Sequence, residues 1–129
     1  MISAPTVLLI AVDSQLAYVL QRYADSYGAR LVAVDFQAPV VALAAHTKPT
    51  LILLALTEVE QHDRVTLRAL RADPQTRAIP IVLCTVHEID RHGWAAEADQ
   101  VLVQPVMYAD FAALLDQAIQ PVSRSPDRS

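Results

Sequence analysis

The sequence predicts a doubly wound α/β sandwich: a five-stranded parallel sheet flanked by helices on both faces, built as five strand–helix pairs. Three observations carry this expectation. Five short runs rich in Val, Ile and Leu recur along the chain, and each is continuous rather than alternating, as in strands buried on both faces. Segments with helical spacing separate them, the order that builds a parallel sheet through right-handed crossovers. The chain has 129 residues and 53% hydrophobic content, which suits one domain with a sizeable core.

The first strand is expected over Val7–Val12. Ser14 stands where an N-cap belongs, before a helix whose stripe is Leu16, Val19, Leu20, Tyr23 and Tyr27, and Gly28 can close it. Leu31–Val34 is the second strand and Gln37–Thr47 a weaker helix; Leu51–Leu56 is the third strand, followed by a helix over Asp63–Ala72. Ile79–Thr85 is the fourth strand, and the helix expected after it, Glu88–Ala98, is interrupted by Gly93. Val101–Val103 ends the sheet, and Phe111, Leu114, Leu115, Ala118 and Ile119 repeat the i, i+3, i+4, i+7, i+8 pattern of a last helix. The domain is expected over residues 1–120. The remainder, 121–129, is a polar, Pro- and Ser-containing tail or linker start.

Composition removes several function classes. Net charge is −4 and no long basic run exists, which argues against nucleic-acid binding. Cys84 is the single cysteine, so no internal disulfide can form and a disulfide-stabilised secreted domain is not expected. No apolar stretch approaches the roughly 20 residues of a membrane helix, and the opening MISAPTVLLIAV lacks the basic start of a signal peptide. A cytoplasmic location without membrane contact is expected. Ligands of open α/β sheets bind at the carboxyl ends of the strands, where phosphate sites need glycines. The two glycines, Gly28 and Gly93, fit no phosphate-binding pattern, which excludes a Rossmann dinucleotide site and a P-loop.

Longer motifs point to a family. The stretch PTLILLALTEVEQHDRVTLRALRADPQTRAIPIVLCTV (Pro49–Val86) resembles the centre of a response-regulator receiver domain, including the L-R-A-D-P helix end at Leu70–Pro74 and the I-P-I strand entry at Ile79–Ile81. Upstream, VLLIAVDSQ resembles the family's first strand and acidic turn; downstream, EADQVLVQPV resembles its G-A-D-x-[YF]-x-x-K-P-[FV] segment. The resemblance spans about residues 6 to 119 and implies a CheY-like, flavodoxin-like (βα)5 fold.

It also implies a chemistry that this chain lacks the groups to perform. Receivers of this kind accept phosphate from a histidine kinase on an aspartate at the end of the third strand, with Mg²⁺ held by an acidic pair after the first strand. A hydroxyl after the fourth strand and a lysine after the fifth contact the phosphoryl oxygens. The nucleophile position falls on Ala55, in L-L-A-L where the family has L-L-D-L. The acidic pair falls on Ala11 and Val12, the lysine on Gln104 before Pro105, and the hydroxyl alone is kept, as Thr85. A one-residue slip would bring Asp13 into the pair, yet one carboxylate makes a weak metal site and supplies no nucleophile. The resemblance therefore implies a pseudo-receiver: no catalytic residue, no metal, no cofactor, no enzyme activity.

Plainer readings stand beside these. Asp13 reads more readily as a helix cap than as a vestigial ligand, and Thr85 as a strand-end residue satisfied by backbone. Cys84, inside a buried strand, reads as inert core. His87 and His92, with Glu88 and Asp90, form H-E-x-x-x-H, whose i, i+5 spacing would turn two helical imidazoles about 140° apart, a poor zinc pair. Glu58, Glu60, His62 and Asp63, in the loop after the third strand, could form a new polar site, but read more readily as a solvated loop. Trp94 and Tyr108 are candidate interaction anchors or half-buried packing residues. The function expected is protein–protein signalling independent of phosphorylation, with a protein partner or a second copy bound through the Glu88–Ile119 face. A first-helix residue such as Tyr23 is expected to lie far from that face. The rival reading is a flavodoxin-like small-ligand or metal-binding domain, or a weak enzyme, using the strand-end cleft with Asp13, Thr85, Gln104 and Glu58 as polar contacts.

Overall fold

The continuous apolar runs become five parallel strands: β1 (Thr6–Ile10), β2 (Arg30–Val34), β3 (Leu51–Ala55), β4 (Ile81–Thr85) and β5 (Gln100–Val103). The computed structural model describes residues 4–57, 59–87 and 93–119. Strand order is β2-β1-β3-β4-β5, with every pairing parallel. β3 is the central strand; every residue of β3 and of β4 is buried, while the edge strands β2 and β5 keep exposed positions. The expected fold class is therefore the observed one.

Pleating divides the apolar residues between two layers. Val7, Leu9, Leu51, Leu53, Ala55 and Val82 join Leu16, Leu20, Phe111, Leu114 and Leu115 in one core cluster. That cluster lies under α1 (Ser14–Tyr27) and α4 (Tyr108–Ile119). Leu8, Ile10, Ile52, Leu54, Ile81 and Leu83 join Ala44, Leu67 and Leu70 in the other, under α2 (Val40–Thr47) and α3 (Glu60–Ala72). The odd-numbered end of β3, Ala55, therefore belongs to the α1/α4 layer.

Helix ends follow local chemistry. Asp13, rather than Ser14, caps α1, its Oδ1 accepting from the Gln15 amide at 2.8 Å. Gly28, at φ 89°, closes the helix through its N–H to the Ala24 carbonyl. α2 starts at Val40 and not Gln37, because the Asp35 carboxylate accepts from the Gln37 amide at 2.9 Å and holds Asp35–Ala38 as a turn. The helix expected over Glu88–Ala98 is not a helix in its described part. It is a four-residue 3₁₀ turn at Trp94–Glu97, and residues 88–92 of that expectation lie outside the described residues. Gly93 (φ −89°, ψ −137°) and Ala98, extended, leave the helical region on either side of the turn.

Arg71 fixes the amino end of the β4–β5 pair. Its guanidinium donates to the carbonyls of Glu97, Arg77 and Ile79 and to Asp99 Oδ2, at 2.8, 2.8, 3.1 and 2.8 Å. Asp99 Oδ2 also accepts from the Ile81 amide at 2.8 Å. The last turn of α3 is thereby tied to the first residue of β4 and the turn before β5. Among the described residues no helix is long and apolar enough to cross a membrane. The 121–129 tail lies outside the described residues.

Candidate functional site

In a parallel sheet all strands end on the same side, so the site positions named from the sequence converge there if the register is right. Ala55 is the last residue of β3, beside Cys84 of β4. It is 7% exposed. Ala11, just past β1, donates its N–H to the Val34 carbonyl at 2.9 Å. Ala11 packs against the same core cluster that holds Ala55, Cys84 and Val106. Val12 behaves differently from expectation: the chain turns outward toward the Asp13 cap and Val12 is exposed. The floor at these strand ends is thus Ala11, Ala55 and Val106, without Val12.

The polar positions are engaged with nearby backbone. Thr85, the buried last residue of β4, donates its hydroxyl to the His87 carbonyl at 3.0 Å and accepts from the His87 amide at 3.2 Å. Gln104 follows β5, and its N–H donates to the Thr85 carbonyl at 2.7 Å; the Gln104–Pro105 peptide is cis. Asp13 is exposed and accepts from Gln15. Mg²⁺ demands several hard oxygen ligands. The side chains at 11, 12 and 55 offer none, so this residue set does not fit the ion. Among the described residues no group of three or more His, Cys, Asp or Glu is placed to hold a metal. Glu58, Glu88, Asp90 and His92 lie outside the described residues.

One carboxylate is placed otherwise than expected. Asp63 is not in a solvated loop: α3 begins at Glu60, and Asp63 sits in its first turn at 1% exposure. Its Oδ2 accepts from the Thr57 amide at 2.9 Å and its Oδ1 from the Thr57 hydroxyl at 3.0 Å, while the Val59 amide donates to Thr57 Oγ1 at 3.0 Å. Burial raises the Asp63 pKa, against the two Thr57 hydrogen bonds that lower it. The sequence did hold a signal. Asp63 is in register with Thr66, Leu67 and Leu70, the inward stripe of α3, and this i, i+3, i+4, i+7 spacing already lies within the helix expected over Asp63–Ala72. Beside Asp63 a cleft of about 780 Å³ opens, lined by Thr57, Asp63, Arg64, Thr85, Val86 and Trp94 among others.

The two aromatic candidates flank the edge strand β5 from opposite layers. Trp94, in the 3₁₀ turn, packs partly against the α2/α3 cluster and lines the cleft. Tyr108, at the start of α4, meets Tyr23 edge to face with centroids 5.6 Å apart. Tyr23 also donates its hydroxyl to the Val106 carbonyl at 2.9 Å. Tyr23 is consequently not remote from the Glu88–Ile119 face, and Tyr108 is partly a packing residue. Cys84 is buried, and burial pushes its thiol pKa up to about 12, as for an unreactive core cysteine.

The arrangement defines a doubly wound (βα) sandwich with an apolar floor at its strand ends. Among solved structures this fold is that of receiver domains. One similar structure is the receiver domain of a sensor histidine kinase of Pseudomonas aeruginosa PAO1, solved with a magnesium ion coordinated in its active-site cleft. It has TM-score 0.76 and 22% identity, over 91% of this chain and 98% of that one. The signal receiver domain of a histidine kinase from Syntrophus aciditrophicus matches at TM-score 0.76 and 21% identity, over 95% of each chain. The chemotaxis protein CheY4 of Vibrio cholerae matches at TM-score 0.76 and 17% identity, over 90% and 99%. No family model and no curated protein matches the chain.

Proposed function

We propose that this chain is a receiver-like signalling module that takes up no phosphate and acts by binding another protein, in a cytoplasmic two-component-type setting. The observation that carries the reading is Ala55. It stands at the carboxyl end of the central strand, the position from which the family's aspartate attacks phosphorus, and it shares an apolar cluster with Val106 and Cys84, against which Ala11 packs. A methyl group has no electron pair with which to attack. Without carboxylates there is no metal to offset the charge of an incoming phosphoryl group, and Gln104 supplies no cation in place of the family's lysine.

A receiver switches because phosphate binds one of its conformations better than another. A chain deprived of that differential binding rests in one dominant state, which a partner can recognise constitutively. The surface we assign to that partner, or to a second copy, runs from the Trp94 turn across β5 to α4, where Trp94 and Tyr108 offer partly exposed aromatic rings. The structure gives the rival small-ligand reading less support. The Thr85 hydroxyl and the Asp13 carboxylate are both engaged by neighbouring backbone.

Incubation with acetyl phosphate and Mg²⁺, followed by intact-mass spectrometry, tests the reading. The mass is expected to stay unchanged for the wild type and for Ala55→Asp, whose single carboxylate still lacks a metal pair and a cation. A labile phosphoryl adduct on any strand-end aspartate of the wild type would overturn it.

A further inference from the structure

Two neighbouring helices leave an uncharged face in water. α2 has eight residues, none of them Asp, Glu, Lys or Arg, and Ala44 alone is fully buried. Val41, Leu43 and Ala45 are half-buried and Ala42 is exposed. A surface helix ordinarily carries charge on its outer side, and one that is apolar all round is ordinarily covered. On α3, Val65, Ala69 and Ala72 are exposed at i, i+4 and i+7, with Val65 60% exposed. They make one stripe. Valine is a weak helix former, so helix propensity does not account for Val65 there.

That stripe is turned toward α2. His62, three residues before Val65, has its ring 4.9 Å from Phe36, in the connection leading into α2. Arg68, on the other side of α3, reaches Glu97 of the 3₁₀ turn at 3.6 Å. α2 and α3 pack beside each other, so Ala42 and Ala45 join Val65, Ala69 and Ala72 in one outer face. Its alanines let a second pair of helices approach closely.

Charge at the two ends of this face differs in sign. Both helices run from the carboxyl end of the parallel sheet to its amino end. Asp35 and Glu60 are exposed where the helices begin, and Lys48, closing α2, and Arg77, after α3, are exposed where they end. Arg64, 4.0 Å from Glu60, and Asp73, whose Oδ1 accepts from the Gln75 amide at 2.7 Å, reduce this polarity without reversing it. A surface with opposite charges at its ends and none in its middle complements itself when turned about a twofold axis.

We propose that the α2/α3 face docks a second copy of this chain, the helices of the two copies crossing antiparallel about a twofold axis. Val65, Ala69 and Ala72 of each copy pack on the same patch of the other, and Asp35 and Glu60 of each face Lys48 and Arg77 of the other. A helix of one charge sign would be attracted at one end of the face and repelled at the other, and an anionic bilayer would be repelled at the Asp35 and Glu60 end. The inference rests on reading the chain as a protein-binding module, and it leaves the Trp94 and Tyr108 surface to a different protein. Phosphate uptake would sink that reading, while self-association, measured without phosphate, is tested by itself.

Two short helices a side fall below the roughly 1,200 Å² of a stable complex, so the pair belongs to the weak class. The test is sedimentation velocity of the full chain from about 10 μM to 1 mM, where the wild type is expected to pass from monomer toward dimer. Val65→Glu should weaken association about tenfold or more, because two carboxylates then meet near the twofold axis. Trp94→Ala and Tyr108→Ala should leave it unchanged. Val65 is mostly exposed, so its variant should fold, as circular dichroism would verify. A second pair of variants reads the orientation and decides the matter should Val65→Glu unfold. Glu60→Lys/Gln61→Lys makes both ends of the face positive, and Lys48→Glu/Arg77→Glu makes both negative. Each alone should stay monomeric. Their equimolar mixture should associate at least as tightly as wild type, and weaken several-fold from 50 to 500 mM NaCl. A wild type monomeric to 1 mM, association that Val65→Glu leaves intact, or a mixture no tighter than its components would overturn the proposal. So would association lost in Trp94→Ala or Tyr108→Ala, which would put the second copy on the β5 and α4 surface.

Discussion

Ala55 has neighbours that would solvate a charge poorly: Ala11 and Val106 are packed in its cluster and Cys84 is beside it on β4. An aspartate introduced there is partly desolvated without a cation to meet it. Ala55→Asp should therefore cost about 1–3 kcal/mol at neutral pH, with the loss shrinking in acid as the carboxyl protonates. Urea titrations at pH 4.5 and 7.5 would check this, and an equal cost at both would contradict the apolar floor. Asp63 gives the natural counterpart. Its pKa is raised in the folded state, chiefly by burial, so the folded state holds the proton more tightly than the unfolded one. The stability it contributes is full below its unfolded pKa and is lost as pH rises through the raised value. Asp63→Asn can still accept the Thr57 N–H, so it should be within about 1 kcal/mol of wild type at pH 7 and should remove that slope. Asp63→Ala leaves the Thr57 amide without its acceptor and should cost about 1–3 kcal/mol. This residue was misread from sequence because acidic residues near a helix start look solvated. Only its register with Leu67 and Leu70 turns it inward.

At the scale of elements, the molecule is tied by side chains that reach between helices and strand ends. Arg71 donates to three carbonyls and to Asp99, joining α3 to both β4 and the approach to β5. Arg71→Ala should lower unfolding free energy by about 1–2 kcal/mol, since four acceptors, the Ile79 carbonyl among them part-buried, lose their donor together. Arg71→Lys should recover only a minority of this, because an ammonium cannot reproduce the planar fork. Chemical denaturation of the three proteins decides it, and full rescue by lysine would show that charge alone matters. Tyr27 joins α1 to α4 through a 2.6 Å hydrogen bond to Asp116. That bond, with smaller contributions from burial and the Asp116 charge, raises the phenol pKa to about 12. The stabilising contribution is present below the ordinary phenol pKa of about 10 and is lost as pH rises through the raised value. Thermal melts between pH 9.5 and 12 should fall more steeply for wild type than for Tyr27→Phe. The long apolar elements were legible because burial on both faces leaves an unbroken Val/Ile/Leu signature. The segment between β4 and β5 was not, because Gly93 and a short 3₁₀ turn carry little periodicity.

For the whole molecule, the parallel sheet gathers five strand ends on one side, and that gathering brings the positions named from the sequence to one end of the sheet. Ala55, Ala11, Thr85 and Gln104 come together because register and crossovers are set by the alternation of strands and helices. Val12 is exposed, and a sequence position one residue past Ala11 does not reveal which way a turn sends its side chain. The cleft beside Asp63 and the exposed valines around the strand ends were likewise invisible until the loops had positions. On the proposed reading these strand ends neither hold Mg²⁺ nor respond to phosphate. Amide chemical shifts of the full chain, followed through a Mg²⁺ titration and then with acetyl phosphate added, probe both properties in one sample. The amides of residues 11–13, 55–57, 85–87 and 104 are expected to move no more than in an NaCl control of equal ionic strength. Saturable shifts centred on Asp13, Ala55 and Thr85, spreading to β5 and α4 when acetyl phosphate is added, would contradict it.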